Sequence, residues 1–103
     1  MVFLQIVLEK CQMARARAWR AVEQAEDSAL APYGENIAAI FSERNARAIE
    51  LLAQHDANAY AALAAYKKTV APVERQYWRV IAFTNKVMTL ARWAAQRSMI
   101  DDR

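Results

Sequence analysis

The sequence predicts an all-α protein, an antiparallel bundle of four helices, and three observations predict it. Alanine, the strongest helix former, fills 23 of the 103 positions. One glycine and two prolines supply too little turn chemistry for the many short strands of a sandwich or barrel. Apolar residues recur at the helical period of about 3.6. With 56% hydrophobic and 24% charged residues, the composition is globular and excludes intrinsic disorder. The length suits a single domain over 1–103.

Helix one is expected at roughly 2–29, burying Leu4, Leu8, Cys11, Ala18, Val22 and Ala25. Its opening run, Met1 to Leu8, is apolar, lacks a basic leader and meets charge at Glu9. That run is too short to cross a bilayer or act as a usual signal peptide. Cys11 is the single cysteine, which suits a reducing compartment. The expectation is a cytoplasmic protein with no membrane association.

Two Ala-Pro dipeptides open the second and fourth helices, because proline fits the first helical turn and turns its predecessor away from helix. Helix two is expected at roughly 32–54, burying Tyr33, Ile37, Ile40, Ala48, Leu51 and Leu52. Asp56 is the expected N-cap of helix three, roughly 57–70, which offers Tyr60, Leu63 and Ala64. Helix four, roughly 72–99, buries Tyr77, Val80, Ile81, Thr84, Val87, Met88, Ala91 and Ala95. Helices three and four also read as one helix kinked at Pro72. The similar patterns behind Pro32 and Pro72 fit a shared amphipathic period as well as a duplicated helix pair.

Charge is segmented. Seven acids and two bases lie between Glu23 and Asp56, whereas seven bases and only Glu74 lie between Lys67 and Arg97. On the last helix Arg75, Arg79, Lys86 and Arg97 fall within about 40° of one another, opposite the apolar face, with Trp93 among them. A face without alternating acids, carrying a tryptophan, suggests contact with a phosphate backbone or an acidic partner surface. A plain solvated face is the alternative.

Arg44 falls on the expected apolar face of helix two and needs a partner. Backbone carbonyls, or a carboxylate such as Glu26 or Glu43, would supply it. The sharper reading pairs Arg15 and Arg44 as a pocket for a small anion. His55 has no second ligand at metal spacing, so it reads as a core or capping histidine. No phosphate loop, nucleophile set, metal motif or cofactor motif is present, and no enzyme is expected.

Three function classes follow. One is a non-catalytic assembly or adaptor module, docking on a protein partner or on itself as a homo-oligomer; Phe3, Ile6, Trp19, Trp78, Phe83 and Trp93 exceed what one small core holds. The second binds nucleic-acid backbone through Arg75, Arg79, Lys86, Trp93 and Arg97. The third binds a small anion, or catalyses, through Arg15 and Arg44. The segment Leu90 to Met99 loosely resembles the terminal helix of small helical subunits in CRISPR effector complexes, over about ten residues of a common amphipathic pattern. That stretch assigns no family.

Overall fold

The computed structural model describes residues 2–101, and side chains through Met99. The described residues are all-α, as the alanine content and period require. Only Gly34, residues 43–45 and Asp56 lie outside helix or helical turn, and no strand occurs among the described residues. The elements are α1 (Val2–Leu30), a 3₁₀ turn (Ala31–Tyr33), α2 (Glu35–Ser42), α3 (Ala46–His55), α4 (Ala57–Ala65), a π segment (Tyr66–Val70) and α5 (Ala71–Asp101).

Local chemistry explains the breaks. Pro32 sits in the 3₁₀ turn rather than heading an α-helix. The chain then turns at Gly34, whose φ of 97° suits a residue without a side chain. The expected cap at Asp56 is present: its carboxylate accepts from Asn58 N–H at 2.8 Å and Ala59 N–H at 3.1 Å. The helices expected at 57–70 and 72–99 form one continuous helical run through the π segment. Pro72 supplies the reason. Its ring crowds the carbonyl of Lys68, and the widened turn just before it absorbs that clash, with Ala71 N–H bonding to Tyr66 C=O.

The expected second helix divides. Arg44 takes a left-handed φ of 59°, and Asn45 starts α3 by accepting Ala48 N–H at 3.1 Å. This break resets the helical phase. Ile49 and Ala53 therefore turn inward, and Leu51, expected in the core, is 51% exposed. In α4 the small Ala59 and Ala62 face inward, and Tyr60 points out.

The chain divides into two compact units, residues 20–75 and residues 2–19 with 76–101. The first, called the central unit here, has a core of Leu30, Ile37, Phe41, Ile49, Ala59 and Ala62. Phe41 stacks tilted on Tyr66 at 5.4 Å. Asn58 ties the turn down by donating to Tyr33 C=O at 2.9 Å.

The second unit is an antiparallel pair formed by the first part of α1 and the last part of α5. Trp19 meets Tyr77 edge-to-face at 5.2 Å, and Arg15 meets Thr84 and Asn85. Phe3 and Val7 lie with Leu90 and Ala94. Among its described residues this pair buries only Cys11, Thr84 and Ala91.

Candidate functional site

The terminal pair carries far more apolar surface than it covers. Val7, Cys11, Ala14, Val80, Phe83 and Val87 line a groove of about 280 Å³, with Lys10 at its edge. Phe3, Leu90, Ala91 and Ala94 join Val7 and Val87 around a second, of about 260 Å³. The shared valines make these one apolar channel between the helices. Phe3 is 63% and Phe83 68% exposed. Two helices cannot enclose a core between them, which is why this surface stays open.

Within the terminal pair, Arg79, Lys86, Trp93 and Arg97 of the expected basic stripe lie beside the channel-lining Phe83, Leu90 and Ala94 on α5. Arg75, Arg79, Lys86, Trp93 and Arg97 are all exposed or partly so. Phe83 has Arg79 four residues before it and Lys86 three after, so these lie side by side on the helix. Lys86 and Trp93 flank Leu90 in the same way. The Arg97 guanidinium lies 5.9 Å from the Trp93 ring centroid, a cation–π distance. None of the four stripe cations ion-pairs with a carboxylate among the described residues. Arg75 belongs to the central unit and the other four to the terminal pair.

Arg15 is partly buried and bonds across the terminal pair. Its Nε donates to Thr84 Oγ1 at 2.7 Å and its Nη2 to Asn85 Oδ1. The Thr84 hydroxyl in turn donates to Val80 C=O at 2.7 Å. Arg44 lies in the central unit, with its guanidinium bonded to Glu26 and Glu74. The two arginines thus fall in different units, each with its own polar partners. Arg44 is not on a helix face at all; it reaches Glu26, one of the carboxylates expected for it, from the break between α2 and α3.

No protein-family model, curated protein or solved structure matches this chain. Its residues alone must therefore carry any functional reading.

The Arg44 cluster brings a guanidinium, two carboxylates and a phenol together in the central unit. Tyr66 donates to Glu74, and Arg44 Nη1 lies 3.3 Å from the Tyr66 hydroxyl. Burial pushes the Glu26 carboxyl up, and Arg44 only partly offsets this. Burial also disfavours the Arg44 charge, but Glu26 and Glu74 together outweigh it and raise its pKa. Burial, and then the bond to Glu74, hold the Tyr66 phenol far above its ordinary range. A cleft of about 310 Å³ opens beside the cluster, floored by Phe41, Ile49 and Leu63. Two carboxylates around one guanidinium leave no surplus positive charge for an anion.

Among the described residues no group of His, Cys, Asp and Glu converges as a metal site, and no helix is long and apolar enough to cross a membrane. His55 is exposed at the end of α3 rather than in the core. Sequence reasoning missed Glu74 and Tyr66 as partners of Arg44. Their signal was present: residues eight apart lie near one helix face, but the break at Arg44 hid what they face.

Proposed function

We propose that this chain is a non-catalytic helical assembly module that docks on a protein through its terminal helix pair. One observation carries the reading. Among its described residues the pair buries three side chains while Phe3, Ile6, Met13, Phe83, Leu90 and Trp93 stay exposed. Apolar surface of this extent on a small unit is covered in use, since hydration of each open aromatic forfeits hydrophobic free energy. The single free cysteine is in keeping with work in the cytoplasm.

A second reading has its own support. The stripe of Arg79, Lys86 and Arg97, with Arg97 set over Trp93, suits contact with a phosphate backbone and one stacked base. Native mass measurement of the purified chain, with and without nuclease, separates the two. A protein or self-complex that survives nuclease supports assembly. A complex that falls to a bare monomer on nuclease treatment supports the second reading instead.

A further inference from the structure

We propose that the channel on the terminal pair receives a single amphipathic helix of a partner protein, with acidic residues flanking its apolar ridge. This deepens the assembly reading and rests on it. Shape gives the first argument. Two antiparallel helices with an apolar groove along them accept a third helix laid in that groove, as in helix-in-groove recognition.

Charge gives the second. Lys10 edges the groove, and Arg79, Lys86 and Arg97 border Phe83, Leu90 and Ala94 on α5. Among the described residues no carboxylate lines either part of the channel. A basic rim around an apolar floor is complementary to an apolar ridge between acidic flanks.

The same rim argues against a second copy. A two-fold contact between identical channels would set these cations against themselves. The central unit holds most of the chain's acids, but among its described residues only Leu51 and Tyr60 are large exposed apolar side chains. They lie on different helices and form no ridge. Nucleic acid would satisfy the cations but leave Phe83, Leu90 and Phe3 uncovered.

The test uses the full chain and two labelled synthetic peptides of about three heptads. Both carry leucine at a and d and neutral helix formers elsewhere; one has glutamate at e and g, its twin lysine. Fluorescence anisotropy should show the glutamate peptide binding at least about tenfold more tightly at low salt, with the ratio shrinking as salt screens the rim. Phe83→Ser with Leu90→Ser should weaken it about tenfold or more while far-UV circular dichroism is unchanged. Should that double variant unfold, Lys86→Glu with Arg79→Glu replaces it and should reverse the preference between the twins. Equal binding of the twins, or displacement of the glutamate peptide by an oligo-dT strand, overturns the proposal. Self-association of the chain that Phe83→Ser abolishes also overturns it, yet leaves the assembly reading standing. A monomer that binds neither peptide and nothing else overturns both.

Discussion

Glu26 and Arg44 form an ion pair that Glu26 enters against its own solvation. The Arg44 guanidinium bonds to the Glu26 carboxylate, yet burial holds the Glu26 carboxyl above its ordinary value of 4.5. A group with a raised folded pKa stabilises the fold fully below its unfolded pKa and loses that contribution as pH rises through the folded value. Ionised Glu26 is thus a net cost that Arg44 reduces.

The two partners should therefore respond unequally to substitution. Arg44→Ala strands Glu26 and Glu74 beside each other and should cost about 2 kcal/mol at neutral pH, less than a fully buried pair because the cluster is partly exposed. The loss should shrink from neutral pH towards about pH 4, as Glu26, whose carboxyl burial already holds above its ordinary value, takes up its proton. Glu26→Gln keeps the Arg44–Glu74 pair and should stay within about 0.5 kcal/mol of the parent at neutral pH. Urea unfolding of the three proteins across this range measures the asymmetry. Equal losses for both substitutions would contradict it.

Backbone and side chain at Arg44 are separable. A non-glycine residue at φ 59° carries about 1 kcal/mol of strain. Arg44→Gly should therefore be less destabilising than Arg44→Ala by about that amount. Unfolding midpoints that rank alanine equal to glycine or better would show that the backbone at this break is unstrained.

At alkaline pH Tyr66 becomes the sensitive group. Its folded pKa is raised from 10.0 by burial and by the bond to Glu74. The stability it gives is complete below about pH 10 and is lost as pH climbs towards the folded value. Tyr66→Phe should remove that alkaline loss. Melts of both proteins between about pH 9 and pH 11 should diverge with rising pH; parallel curves would mean that the phenol is not held protonated.

Charge reversal at Arg79 and Lys86 should leave helicity intact, because both project from the helix surface and neither pairs with a carboxylate among the described residues. Should the stripe meet a phosphate backbone, the log–log salt slope of binding flattens by roughly one unit for each phosphate no longer neutralised. Trp93→Ala would weaken the same binding with little change in slope, since stacking releases no counterions. Unfolding on reversal, seen by circular dichroism, would make these residues structural.

The fold was legible where local chemistry acts alone. Alanine content, Asp56 as a cap and the apolar period gave away the class and the inward sides of α1 and α5. Of the side chains expected to be buried there only Cys11, Val22, Thr84 and Ala91 are, and the others are half-buried. The break at residues 43–45 was not legible. Asn45 is a good N-cap, but Ile40, Ala48 and Leu51 continue a helical period across it, and the period masked the cap. The basic stripe was legible because it lies on one uninterrupted helix. The channel beside it was not, since it takes Phe3 and Val7 from one end of the chain and Phe83 and Leu90 from the other. Arg44 showed that it needed a partner; the second of its two carboxylates, Glu74, is thirty residues away and beyond any local rule.

The central claim is that the terminal helix pair is an incomplete core. Native-state hydrogen exchange on the chain at a concentration where it sediments as a monomer tests this most directly. Amides around Cys11, Thr84 and Ala91 should exchange at least about tenfold faster than those of Phe41, Ile49 and Ala62, because few buried side chains hold the pair closed. Equal protection of the two units in a monomeric chain would contradict the claim, since the pair would then need no partner to complete it.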